Sequence, residues 1–349
     1  METIIPPVDV NLLIEELTPE RKLCNTNKAG NELYVFDGRT APNLLREVGR
    51  LREECFRAEG GCSGKSCDLD EFDTMEVPYR QMIVWDPDAK AILGGYRFIL
   101  GPDVKLDENG QPVLATSHLF RFSDRFIRDY LPHTMELGRS FVAPEYQSSK
   151  AGAKAIYSLD NLWDGIAAIT LSHPGIIFLF GKMTIYNSLP IGARDLIFRF
   201  MDKHFPDKDE LVRPIDPVLL SNDPHLLDLI LKDEEYKADY RNLKSAVRSF
   251  GCNIPPLVNS YMNTSSTVKV FGTARCYDLC DAVETAILVC FDEMYEDKRE
   301  RHVQAFHRDK LEKVRSRFPN LDSIQEMRII QRMEEVRQKV MDRFRKKTS

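Results

Sequence analysis

Four charged motifs follow one another within the first 150 residues of this 349-residue chain. Arg52 and Phe56 stand four apart, and the run Asp68-Leu-Asp70-Glu-Phe-Asp73 comes next. Gly94-Gly-Tyr-Arg97 and Glu136-Leu-Gly-Arg139 complete the set. The last two lie in strand-like stretches, where charge is costly to bury unless it is paired. Such residues either line a polar cleft or form an internal ion-pair network. For a network, the natural pairs are Arg52 with Asp70 or Asp73, and Arg97 with Glu136. For a cleft, a carboxylate within reach of an incoming amine can take its proton. An arginine there can clamp a substrate carboxylate through two parallel hydrogen bonds.

A second place for chemistry is Glu-Tyr-Gln147-Ser-Ser-Lys150-Ala-Gly152, which follows a strand and opens a helix. Unsatisfied backbone N–H groups at a helix start attract phosphate. Other candidates carry less. Cys62-x-x-x-x-Cys67 and Cys276-x-x-x-Cys280 have no companion histidines at ligand spacing, so no metal site is expected. His302 and His307, five apart in a basic helix, read as exposed.

The elements that must position these residues follow from periodicity. A short helix is expected around Val10–Leu17, within an otherwise loose lead-in over residues 1–30. Leu44, Leu45, Val48, Leu51, Cys55 and Phe56 recur at helical spacing and stop at Gly60-Gly61. Residues 62–76 are polar and read as a loop. Met82 to Leu100 reads as a hairpin turning at Asp86-Pro87-Asp88. Residues 101–117 form a second loop, 120–131 look helical, and 133–144 form a strand ending at Pro144. A loop and a long helix follow, then a strand over 175–185, then a helix over 193–205 closed by Pro206. Residues 207–250 are helical and acidic, an insertion or lid. Residues 254–263, 267–277 and 284–291 read as strands and turns. From Asp297 the pattern is helical, with Ile324, Met327, Ile330, Met333, Val336, Val340 and Phe344 on one face. The order implies a mixed sheet covered by helices, an α/β layered domain.

Composition narrows the class. Apolar content of 43% and charged content of 29% suit a soluble globular domain. No run of about 18 apolar residues offers a membrane span. The N-terminus has no basic region of a secretory signal, and eight cysteines then suggest reduced thiols in a cytoplasm. The net charge of −6 is uneven: from Asp297 to Ser349 there are 16 Lys/Arg and 9 Asp/Glu, a net of +7. A basic tail on an acidic body suggests an anionic partner, a phospholipid surface or an acidic carrier protein, or packing on the body itself. Aromatic residues are not interleaved with basic ones, so nucleic acid is not an expected partner.

The order Arg52…Phe56, Asp68-x-Asp70-x-x-Asp73, Arg97, Glu136-x-x-Arg139 resembles that of the acyl-homoserine-lactone synthases and the ornithine-type N-acyltransferases. These are GNAT-fold enzymes with long-chain acyl donors. The tryptophans of the lactone synthases are not evident between Phe56 and Asp68, which argues against a lactone product. Glu136-Leu-Gly-Arg-Ser-Phe-Val with Pro144-Glu-Tyr-Gln, and Ile254-Pro-Pro-Leu-Val-Asn-Ser-Tyr, resemble the ornithine type more closely. The closest group is that of long bacterial GNAT proteins that acylate glycine in glycine-lipid synthesis. The resemblance covers roughly residues 45–290.

It implies a GNAT domain over residues 1–296, with 297–349 as a basic helical tail. It implies transfer of a long-chain acyl group, plain or 3-hydroxylated, from acyl carrier protein or coenzyme A to a small amino acid, glycine first and ornithine second. No bound cofactor is implied. Glu136 becomes the first candidate for the base, because its strand faces the donor in GNAT folds, and Asp73 the second. Arg97 or Arg139 would clamp the acceptor carboxylate, with Arg52, Phe56 and Asp70 around it. Backbone N–H groups near Ser140, Phe141 and Val142 would hold the oxyanion. Gln147, Lys150 and Gly152 would hold the donor phosphate, although Lys150 stands where the family's loop has glycine. Alternatives are a signal synthase of the lactone class and a non-catalytic membrane-associated binding protein on the same fold. The location is cytoplasmic, with the inner membrane face as the peripheral alternative.

Overall fold

The structure is a computed structural model that describes residues 1–61, 63–147, 153–277, 282–318 and 323–348. Helix α1 (Val10–Glu16) precedes strands β1 (Lys22–Asn25) and β2 (Glu32–Phe36) and helix α2 (Pro42–Glu59). A four-residue helix α3 (Glu71–Thr74) leads into β3 (Arg80–Asp86) and β4 (Ala91–Leu100). After the short β5 (Phe120–Phe122) come β6 (Thr134–Val142), α4 (Ala153–Ser172), β7 (Phe178–Ile185) and α5 (Ile191–His204). Then follow β8 (Val212–Pro214), α6 (Pro224–Ile230), α7 (Tyr236–Ser249) and α8 (Pro256–Met262). Strands β9 (Lys269–Arg275) and β10 (Val283–Cys290) and helices α9 (Glu296–Arg317) and α10 (Ser323–Thr348) complete the order.

The chain forms two compact units: residues 1–104, 129–177 and 296–349, and residues 105–128 and 178–295. In the first, β1, β2, β3, β4 and β6 pair in that order, each pair antiparallel. Side chains alternate between faces along a strand. Tyr34, Phe36, Ile83, Trp85 and Ile92 therefore share one face, where they form a core with Leu44, Leu45, Val48 and Leu51 of α2. The opposite face meets α4, where a Cβ on Gly165 would lie 2.6 Å from the Met82 sulfur. The hairpin turn is built as its sequence suggests: Asp86 Oδ1 accepts from the Asp88 and Ala89 N–H groups at 3.0 Å each. In the second unit, β7, β10 and β9 pair antiparallel, and β5 pairs with β8 as a separate ribbon.

Several expectations are corrected. The lead-in contains β1, and β2 follows it; they are four and five residues long, too short for alternation to declare them. The loop over 62–76 contains α3. The supposed helix over 120–131 is strand β5, with Phe120 and Phe122 buried and Arg121 exposed, followed by a π-helical turn over Phe126–Tyr130. The segment 254–263 is not strand. Pro256 opens helix α8, where its missing N–H and fixed φ are no loss. His302 is buried rather than exposed, its Nδ1 2.8 Å from Asp164 Oδ1.

The tail belongs to the first unit. Arg308 donates to the Thr26 carbonyl at 3.0 Å, and Asn27 Nδ2 to the Arg301 carbonyl at 2.6 Å. On α10, Arg337 donates to the Thr170 carbonyl at 2.9 Å, and Phe344 packs edge-on against Tyr130. The apolar stripe is thus used at one end only. Met341 and Phe344 are buried, while Ile324 and Met327 are 61% and 60% exposed.

Candidate active site

Strand parity assembles the site. Gln81 lies directly opposite Arg97, and Ile99 opposite Glu136, so Gln81, Arg97 and Glu136 share the sheet face that α2 covers. Arg52 projects onto that face from α2. The acidic run arrives from above, because Asp70 caps α3 and Asp73 closes the reciprocal capping box. The caps therefore hold two carboxylates rigidly over three arginines.

The pairs alternate in sign. Arg52 Nε lies 3.1 Å from Asp68 Oδ2, and its Nη2 2.9 Å from Asp73 Oδ2. Arg97 Nη1 is 2.6 Å from Asp70 Oδ1 and 3.3 Å from Asp73 Oδ2. Arg139 Nη2 reaches Asp68 Oδ1 at 3.4 Å and Asp70 Oδ2 at 3.3 Å. Gln81 Nε2 donates to Asp73 Oδ1 at 2.9 Å. Both oxygens of Asp73 are thereby engaged, and its side chain is fully buried. Burial pushes the Asp70 carboxyl up, but the Arg97 guanidinium, with Arg139 and Arg52 behind it, outweighs burial and holds it well below the usual carboxylate range. Burial likewise opposes the charge on Arg97, and Asp73 and Asp70 reverse the effect and raise it.

Aromatic rings close the cluster. The Arg97 guanidinium lies 5.6 Å from the Phe72 ring centre and 5.3 Å from that of Tyr79. Arg139 lies 6.0 Å from the Phe56 ring. Glu136 is buried and accepts a hydrogen bond from the Tyr79 hydroxyl.

Exposure separates the three arginines. The Arg52 and Arg97 side chains are 1% and 4% exposed, whereas Arg139 keeps 22%. The Nε of each of the three is buried without a hydrogen-bond partner among the described residues. Arg139 further adopts φ of +50°, a left-handed conformation that costs a side-chain-bearing residue energy. The cause is a bulge. Gly95 pairs with Phe141 and Arg97 with Gly138, so Arg139 and Ser140 together oppose Tyr96 alone. The bulge interrupts the ladder beside Ser140, Phe141 and Val142. The Phe141 side chain packs in the core, so only its backbone can serve a ligand. Gln147 Nε2 donates to the Val142 carbonyl at 2.7 Å. Lys150 and Gly152 lie outside the described residues.

Arg52, Phe56, Asp70, Asp73, Arg97 and Arg139 are thus joined in one cluster, and Glu136 connects to it through Tyr79. Tyr79, Gln81 and Phe72 are members that the motif pattern did not name. The available signal was parity: Tyr79 and Gln81 alternate with Ile83 and Trp85 on an inward face. Among the described residues no group of three or more His, Cys, Asp or Glu is placed to hold a metal ion.

A match to the acetyltransferase (GNAT) domain covers residues 51–156, the stretch that supplies nearly all of these side chains. A GNAT-type acyltransferase is the class that this sheet, its bulge and its charged face define. Glycine N(alpha)-acyltransferase of Bacteroides thetaiotaomicron is 54% identical over 307 residues, 88% of this chain and 91% of the relative. The protein of the same name from Phocaeicola vulgatus is 50% identical over 306 residues, 88% of this chain and 94% of the relative. The chain belongs to the glycine N(alpha)-acyltransferase family. A solved structure of a CoA-dependent acyl-homoserine lactone synthase, BjaI, with SAM and isopentyl-CoA, covers 79% of this chain and 90% of its own, at 12% identity and a TM-score of 0.36. That likeness adds nothing to the assignment.

Proposed function

We propose that this chain transfers a long-chain acyl group, plain or 3-hydroxylated, from an acyl carrier protein or coenzyme A thioester to the amino group of glycine, with ornithine the next candidate. The amine attacks the thioester carbonyl, a tetrahedral oxyanion forms, and the thiolate leaves. Glu136 takes the proton lost by the amine, directly or through a water. Backbone N–H groups beside the bulge, at Ser140, Phe141 and Val142, face the oxyanion. Gln147, Lys150 and Gly152 hold the donor phosphate. Arg139 clamps the acceptor carboxylate. Arg52, Arg97, Asp70 and Asp73 hold Arg139 and the sheet in register. No bound cofactor takes part.

The observation that carries this reading is the exposure of Arg139. It alone among the three cluster arginines keeps part of its side chain open, as contact with an amino-acid carboxylate requires. An acceptor without a carboxylate would have no use for it.

The product would be amphiphilic. Among the described residues no helix is long and apolar enough to cross a membrane. We place the protein in the cytoplasm, with the exposed half of α10, where Ile324 and Met327 stand beside Arg328 and Arg332, resting on the anionic inner membrane face.

Mass spectrometry of a reaction of the purified protein with a long-chain acyl thioester and glycine tests the reading. N-acylglycine is expected, and Glu136→Gln should slow its formation by about 10²–10⁴-fold. An enzyme that acylates no amino acid refutes the function, and a Glu136→Gln rate within about threefold of wild type refutes the base assignment.

A further inference from the structure

We propose that Tyr79 is a positioning residue for the reaction, the piece that sets the carboxylate of Glu136 and ties it to the arginine cluster around the acceptor. The proposal rests on the reading of Glu136 as the base. Tyr79 is fully buried, so it meets neither bulk water nor a departing thiolate. Its hydroxyl donates to Glu136 Oε2, which fixes the orientation of that carboxylate.

The ring is fixed on three sides. Its backbone N–H donates to the Phe72 carbonyl at 2.8 Å, its edge meets the Phe72 ring at 5.6 Å, and the Arg97 guanidinium lies 5.3 Å from its centre. Arg97 in turn shares Asp70 with Arg139. A continuous chain of contacts therefore runs from Arg139 through Asp70, Arg97 and Tyr79 to Glu136. A base and a clamp carried on separate elements must keep a fixed spacing for one small substrate to meet both. A shift of about 1 Å can cost on the order of 10²-fold in rate. Phe72, Tyr79 and Arg97 form a packed unit that resists such a shift.

Tyr79→Phe isolates the hydroxyl, because the phenyl ring keeps the Phe72 and Arg97 contacts. In a thiol-release assay with a long-chain acyl-coenzyme A and glycine, kcat should fall about 10- to 100-fold, the range for one hydrogen bond to a charged group. KM for glycine and for the thioester should stay within about twofold. In a Glu136→Gln background the same change should have less than about a twofold further effect, since the two residues act as one unit. The comparison is run at a temperature where circular dichroism shows all four proteins folded. Wild-type kcat in Tyr79→Phe overturns the proposal, and so does an equal loss in both backgrounds. If the Glu136→Gln enzyme alone runs at the wild-type rate, the base reading fails and this proposal with it. That result appears in the single Glu136 variant and is distinct from the other two.

Discussion

Asp73→Asn separates two jobs that one carboxylate can do. As a base, Asp73 would lose its chemistry on amidation while the fold stayed intact. As the anchor of Arg52 and Arg97, it would take part of the fold with it. Its side chain accepts from Arg52 at 2.9 Å, Gln81 at 2.9 Å, the Asp70 N–H at 3.2 Å and Arg97 at 3.3 Å, with no exposure to water. An amide offers one acceptor oxygen and an NH₂ group, so one side of the substituted side chain would point a donor at donors. Two buried guanidinium groups would also lose a shared counter-charge. Removing one partner of a buried pair costs about 3–5 kcal/mol. A folding unit of roughly 150–250 residues shifts by roughly 2–4 °C per kcal/mol. The melting temperature should therefore drop by roughly 6–20 °C. Thermal melts by circular dichroism at neutral pH, paired with the rate measured well below the melt, give both numbers. A variant that melts within about 2 °C of wild type but has lost more than about 100-fold in rate would refute the anchor argument and return Asp73 to the role of base.

Other outcomes follow from the same structure. The folded carboxyl of Asp70 is depressed, so its stabilisation is fully present above the unfolded value of about 3.9 and is lost as pH falls below it toward the folded value. Melts between pH 6 and pH 2.5 should fall less steeply for Asp70→Asn than for wild type, and parallel curves would count against that linkage. On α10, Phe344→Ala should cost about 3–5 kcal/mol by emptying its place against Tyr130, read as a lower melting temperature. Ile324→Asp with Met327→Asp should leave the melt unchanged and abolish sedimentation with anionic vesicles, and vesicle binding that survives would move the contact to another surface.

The order of helices and strands indicated an α/β layered domain, and the GNAT fold came from the resemblance of the charged motifs to a known family. Which carboxylate meets which arginine was less legible. Asp70 and Asp73 project from a helix of four residues, too short for any period, and their direction is set by a capping box rather than a pattern. Tyr79 and Gln81 went unread because the apolar run that marks the hairpin begins at Met82, one residue after Gln81. Their parity with Ile83 becomes visible only when β3 is extended back to Arg80. Strands β5 and β8 recognise each other across about 90 residues, information that no local window holds. The left-handed Arg139 is another such case: nothing in Glu-Leu-Gly-Arg-Ser announces that the turn falls on the arginine and not on Gly138.

The contacts of α9 with the first strand turn bear on how the protein is made. Asn27 and Thr26 bond to Arg301 and Arg308 across 274 and 282 residues of sequence. On a ribosome, the turn after β1 therefore emerges long before its partner and must wait while the second unit, whose main segment ends at Tyr295, is completed. Contacts of such long range close slowly, since the loop entropy is lost before the contact is gained. A chain halted near residue 295 would hold every motif residue of the candidate site and still leave β1 and α4 without the helix that covers them. Activity should then appear only after residues 296–349 have been translated, which makes that stretch a checkpoint on formation of a working enzyme.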